Sequence, residues 1–268
     1  MDITALGLLD DEDIALDAAA LQLAALDHPD LALDPYLDIL ADIADRLGAV
    51  GGTARRTDER AAALVEVLHG EFGFTGDRLG YDDPDNADLL RVLDRRRGLP
   101  VSLSILYVAA ARRLGWDADA LNTPGHVLIR IGAEVDPLIL DPFGDGAAVG
   151  PDRVAALLVG ALGARAVPAA EHLTPMANRA VLVRLLLNQA TRAEAAGMAA
   201  RALTLFERMT TVAPDNGHAW WERARLQLVH GDLPGARASL SAILEITRDP
   251  GLRAHVYATL ETLPGPDG

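Results

Sequence analysis

The stretch from Arg95 to Trp116, RRRGLPVSLSILYVAAARRLGW, constrains the fold of this chain more than any other. Leu103, Leu106, Tyr107, Ala110 and Leu114 fall at i, i+3, i+4, i+7 and i+11, the stripe of a helix packed into a core. Gly115 stands where a helix ends on a left-handed residue. Two short apolar runs follow, Val127 to Ile131 and Leu138 to Leu140, separated by the turn-rich GAEVDP. Their length and bounding residues predict strands, paired antiparallel beside the helix, and hence an α+β unit.

The first 70 residues read as helices. Asp34-Pro35 predicts an N-cap with proline in the first turn, and Tyr36, Ile39, Leu40, Ile43 and Leu47 recur on one face until Gly51-Gly52. A second helix is expected from Thr57 to His69 and a short one around Ala87 to Arg95. Between them Glu71 to Asn86, EFGFTGDRLGYDDPDN, reads as an ordered loop rich in Gly, Asp and Pro.

From Thr174 the pattern is helical and repeats. A shift of 34 residues lays Ala190 on Ala224, Gly197 on Gly231, Ala202 on Ala236 and Phe206 on Leu240. Small residues recur where helices approach closely and large ones where they fill the gap, the placement of tetratricopeptide-like helix pairs. The expected organisation is therefore one domain over 1–170 and an all-α helical tail over 171–268.

Composition excludes several functions. The 268 residues contain no cysteine, which removes disulfides, thiolate metal sites and a cysteine nucleophile. A net charge of -15 leaves no basic stripe for nucleic acid. No apolar run is long enough to cross a bilayer and no basic-then-apolar opening segment is present, so a cytoplasmic protein without membrane contact is expected. Acidic residues crowd the first 50 positions, where Arg46 is the only lysine or arginine; this is read as a solvated helical face, with docking of a basic partner as the alternative.

His126, at the head of one apolar run, and Asp141, at the foot of the next, are the residues a catalytic pair would need: the carboxylate orients the imidazole, whose other nitrogen meets a nucleophile. A histidine bonded to backbone is the plainer reading of the same position. Ser102 and Ser104, near the start of the buried helix, are the available hydroxyls, and Ser102 is also an N-cap candidate. Tyr81 and Asn86 are expected to line the same cleft, with a helix cap as the alternative for Asn86. Arg130, on the alternation shared with His126, is a cleft residue or an ion-pair partner. Asp82, Asp83 and Asp85 form an acidic knot without the twelve-residue loop of a calcium site, so no metal is expected. No cofactor is expected either.

Taken in order, Phe72-Gly73-Phe74, Gly76, Tyr81, Asn86, Leu89, Val92-Leu93, Arg97-Gly98-Leu99-Pro100-Val101-Ser102-Leu103-Ser104, Leu114-Gly115, Pro124-Gly125-His126, Asp141-Pro142-Phe143 and Gly146 resemble the SirB-type transglutaminase-like family. In that family the domain is also followed by tetratricopeptide-type helices. The resemblance implies a papain-like α+β fold and a Cys, His and Asp site. It places His126 and Asp141 on the second and third of these positions and Pro100 on the first, where it offers no nucleophilic atom. It therefore implies a catalytically impaired domain that binds a protein or peptide. The alternative is an active hydrolase or acyltransferase in which Ser102 or Ser104 works with His126 and Asp141.

Overall fold

The computed structural model describes residues 3–133, 135–163 and 169–264. Glu134, in the turn expected between the two strands, lies outside them. Contacts divide the chain into two compact units, 10–182 and a second made of 2–9 with 183–268.

In the larger unit, α2 (Leu16–Ala25) and α3 (Asp34–Gly51) precede α4 (Thr57–Val65). The face expected for α3 turns inward, with Leu40, Ile43 and Leu47 buried. The helix expected to run on to His69 instead widens at Glu66 into a π-turn that ends at Glu71. The Phe72 N–H reaches back five residues to the Val67 carbonyl at 2.9 Å, and this wider register turns His69 toward the following loop.

That loop is less irregular than its composition suggests. Thr75–Gly76 forms β1, which pairs in parallel with β2 (Arg97–Gly98) across the intervening α5 (Leu89–Arg95). Then comes α6 (Pro100–Arg113), whose residues from Pro100 to Ala111 are all buried, not only the expected stripe. A helix enclosed on every side is the centre of its core.

A four-stranded antiparallel sheet follows: β3 (Ala118–Ala120), β4 (Ile129–Ile131), β5 (Leu138–Asp141) and β6 (Ala147–Ala148), in that spatial order. The expected β4–β5 pairing is present, with Ile129 opposite Leu140 and Ile131 opposite Leu138. The outer edge of β3 is partly covered by 174–176, where Asn122 donates to the Thr174 carbonyl at 2.9 Å and Met176 to the Ala120 carbonyl at 2.8 Å. Helix α7 (Pro151–Leu162) closes a small core of Leu121, Leu128, Val154 and Leu158.

Acidic residues near the N-terminus have structural partners in this unit. Asp17, 2% exposed, forms an ion pair with Arg113 at 2.6 Å. Asp11 accepts the backbone N–H groups of Asn178 and Arg179 at 2.7 and 2.8 Å and so caps α8 (Asn178–Ala195). Arg112 donates to the Asn178 side chain at 2.6 Å.

The smaller unit holds α1 (Thr4–Leu8), the later part of α8, and α9 (Ala199–Val212), α10 (Gly217–Val229), α11 (Leu233–Ile246) and α12 (Pro250–Thr262). The 34-residue repeat is visible in the backbone as well as in the packing. Gly197 and Gly231 both take a left-handed φ, 74° and 76°, after α8 and α10. The equivalent pairs Ala202 and Ala236, Phe206 and Leu240 are all buried. Helix α1 lies against α9 so closely that a Cβ on Gly7 would overlap the Thr211 carbonyl. No helix among the described residues is long and apolar enough to cross a membrane.

Candidate functional site

The β4–β5 ladder brings His126 and Asp141 together. Asp141 ends β5, and His126 precedes β4 in the turn Thr123–His126. Their Nε2···Oδ1 distance is 2.7 Å, with both side chains largely buried. A carboxylate only accepts, so this bond places a hydrogen on Nε2 and orients the ring. Oδ1 of Asp141 also accepts the Phe143 N–H at 3.1 Å, which closes a single 3-10 turn, Pro142–Gly144, immediately after the strand. The Phe143 ring meets the imidazole edge-on at 5.9 Å and the Tyr81 ring at 5.6 Å. His126, Asp141 and Tyr81 thus form one cluster, joined by Phe143.

The residues at the head of α6 are arranged differently from expectation. Pro100 is the first residue of the helix and Leu99 its N-cap, so Ser102 lies in the first turn rather than at the cap. Both serines are fully buried, and both hydroxyls donate to backbone: Ser102 to the Asn86 carbonyl at 2.7 Å and Ser104 to the Val127 carbonyl at 3.3 Å. Asn86 is not a helix cap either. Asp88 caps α5, accepting from Leu90 and Arg91 at 3.0 and 3.3 Å. Asn86 is buried because it ties loop to helix: its side chain donates to the Gly80 carbonyl at 2.7 Å and its own carbonyl also accepts the Leu99 N–H at 3.0 Å.

Arg130 pairs with Asp119, directly opposite on β3, at 2.6 Å, and lines a cavity with Arg112, Trp116 and Asp117. The alternation that put it beside His126 fails because β4 begins at Ile129, and His126 stands in the turn before it.

The acidic knot is bridged from within by one arginine. Arg95 reaches Asp77 at 3.1 Å, Asp83 at 3.0 Å and Asp85 at 3.5 Å. The Gly80 N–H, 2.9 Å from Asp77, helps hold that carboxyl below the usual range. A guanidinium therefore occupies the position a cation would take, and no cluster among the described residues has the makings of a metal site.

Two residues near the pair were not singled out from sequence. Asp145 follows the 3-10 turn in the left-handed region, at φ 62°. Its carboxylate accepts Thr75 Oγ1 at 2.5 Å and Arg78 Nη2 at 3.0 Å, and lies 4.0 Å from Nδ1 of His69. The Thr75 hydroxyl is the largest influence holding its pKa down. The Asp-Gly dipeptide at 145–146 was the available signal. Tyr107, read only as a core residue, carries a buried hydroxyl with no hydrogen-bond partner; burial raises its pKa, and Asp145 and Asp141 raise it further.

Compared with known proteins, residues 34–187 match the family described as the transglutaminase-like superfamily. That is more than half of the chain, and it contains every residue of the cluster. The chain belongs to the transglutaminase-like superfamily. Behind this transglutaminase-like domain, residues 193–260 match the tetratricopeptide repeat. A UPF0162 protein of Pseudomonas aeruginosa is 32% identical across 91% of this chain and 89% of its own length. A UPF0162 protein of Xylella fastidiosa is 29% identical across 90% and 87%. F-box only protein 21 of Homo sapiens is 38% identical over 92 residues, 31% of this transglutaminase-like chain and 15% of that protein.

Proposed function

We propose that this is a SirB-type transglutaminase-like protein with a papain-like site, that its acyl-transfer chemistry is impaired, and that it works as a protein-binding or regulatory module. The observation that carries the reading is the engagement of the two candidate hydroxyls. Ser102 and Ser104 are fully buried and donate to the carbonyls of Asn86 and Val127, so using either as a nucleophile would first break a buried hydrogen bond. The resemblance puts Pro100 in the nucleophile's position, and its ring can neither attack nor be deprotonated. Without cysteine in the chain, no other thiol substitutes.

The His126–Asp141 pair does not require catalysis to explain it. Both groups are mostly out of water, and each supplies the other's hydrogen-bond partner. Tetratricopeptide repeats behind the domain favour a protein or peptide as the partner.

The test is turnover by the full chain on thioester, activated ester and glutamine-amide substrates, with and without an amine acceptor. Rates equal to those of buffer are expected. Turnover that disappears in His126→Ala and Ser102→Ala, with circular dichroism unchanged, would replace this reading by a serine-based hydrolase or acyltransferase.

A further inference from the structure

From the contacts of the turn after β5 we infer that Asp145 is the positioning residue of the His126–Asp141 pair, the clamp that fixes the six-residue turn 141–146 against the loop carrying Tyr81. This rests on the reading that His126 and Asp141 form the functional centre.

Three observations converge on it. The first is backbone conformation. Asp145, at φ 62°, ends the 3-10 turn Pro142–Gly144 in the left-handed region, as Arg96 ends α5. Glycine meets that conformation without steric cost, and aspartate meets it with some. The side chain of this residue, which glycine would lack, makes the contacts that follow.

The second observation is what the side chain holds. Its two oxygens take the Thr75 hydroxyl and the Arg78 guanidinium, and His69 stands 4.0 Å away on the π-turn. β1 and the loop toward Tyr81 are therefore tied to one carboxylate, with the π-turn beside them. π-turns interrupting helices occur frequently at functional sites, and here His69 on the π-turn bonds the Phe74 carbonyl through Nδ1 at 3.2 Å, next to β1.

The third is what the turn carries. Within 141–146, Asp141 bonds Nε2 of His126, and Phe143 touches both the imidazole and Tyr81. The Gly146 N–H closes the turn on the Asp141 carbonyl at 2.9 Å. Turning Asp145 therefore turns Asp141 and Phe143 together, and with them the imidazole. The residue acts through its neighbours.

The experiment follows the His126 imidazole N–H in the labelled full chain, assigned by its loss in His126→Gln, and measures its exchange with solvent. The wild type is expected to give a slowly exchanging Nε2–H held on Asp141. Asp145→Gly relieves the backbone and removes the clamp, and Thr75→Val removes the shortest contact without touching the turn. Both should speed exchange of that proton at least tenfold while the backbone amide spectrum stays folded. Asp145→Asn, which tolerates the left-handed conformation and still accepts from Thr75, should restore much of the protection. Unchanged exchange in Asp145→Gly, or in Thr75→Val should the glycine variant not fold, overturns the inference. Turnover found in the wild type would defeat the impaired-enzyme reading and leave this measurement unaffected.

Discussion

Removing the imidazole of His126 should destabilise the larger unit by an amount that the geometry bounds. Asp141 is 5% exposed, and one of its oxygens takes both the His126 ring and the Phe143 N–H. In His126→Ala the carboxylate keeps the Phe143 bond but loses the ring, and the truncated site cannot fully rehydrate it. Stranding a buried polar group in this way costs about 1–3 kcal/mol. At roughly 2–4 °C per kcal/mol for a unit of this size, the middle of that range corresponds to a fall in Tm of roughly 4–8 °C. Asp141→Asn preserves shape and an acceptor oxygen, so its loss should be the smaller. The decisive quantity is the coupling in the cycle His126→Ala, Asp141→Asn and the double variant, read by urea unfolding of the transition that reports residues 10–182. A coupling of about 1 kcal/mol is expected, because His126→Ala removes the shared bond outright while Asp141→Asn leaves a neutral acceptor that holds the ring N–H about half as strongly. Additivity within about 0.3–0.5 kcal/mol would refute the reasoning and reduce the 2.7 Å contact to a bystander.

Burial raises the folded-state pKa of Asp17 more than Arg113 lowers it, so the folded chain takes up this proton at a higher pH than the unfolded chain does. The stability contributed by that proton is fully present below the unfolded pKa and is lost as pH rises through the raised folded value; Asp17→Asn should therefore equal or exceed the parent at pH 7, with the advantage gone in acid, as denaturation at pH 3.5 and 7 will show. Tyr107→Phe removes a buried hydroxyl that lacks a partner, so the variant's Tm by calorimetry should rise; a fall would mean that the hydroxyl is bonded through internal water.

The central helix and the strand pair were legible because both are periodic. The stripe from Leu103 to Leu114 and the runs ending at Ile131 and Leu140 state their burial in their spacing, and an antiparallel register follows once one face is apolar. The transglutaminase-like domain and the repeat tail were legible from combined motifs and from the 34-residue period. The details at the head of α6 were not. Ser102 and Asn86 are residues that cap helices by local propensity, but a proline at the first position moved the cap to Leu99, and a contact 16 residues apart took the serine hydroxyl. The role of Asp145 was hidden for a similar reason: its partners, His69, Thr75 and Arg78, are remote in sequence, and only the fold of the turn collects them. Arg130 was left open as a cleft residue or an ion-pair partner, and its ion pair is with Asp119 on β3, a strand that was not expected from the sequence. In each case a local rule gave way to a long-range hydrogen bond or to a boundary shifted by two or three residues.

Helix α1 has a consequence for the order in which this protein can be assembled. Its packing partner α9 begins at Ala199, and the whole of the larger unit lies between them in the chain. On the ribosome, at roughly 5–20 residues per second, α1 emerges on the order of ten seconds or more before the surface that buries Leu6 exists. During that interval a five-residue helix has no stability of its own. The larger unit can close first, and α1 can dock only as a late event that waits for the repeats, so a segment made before the larger unit belongs to the unit finished after it.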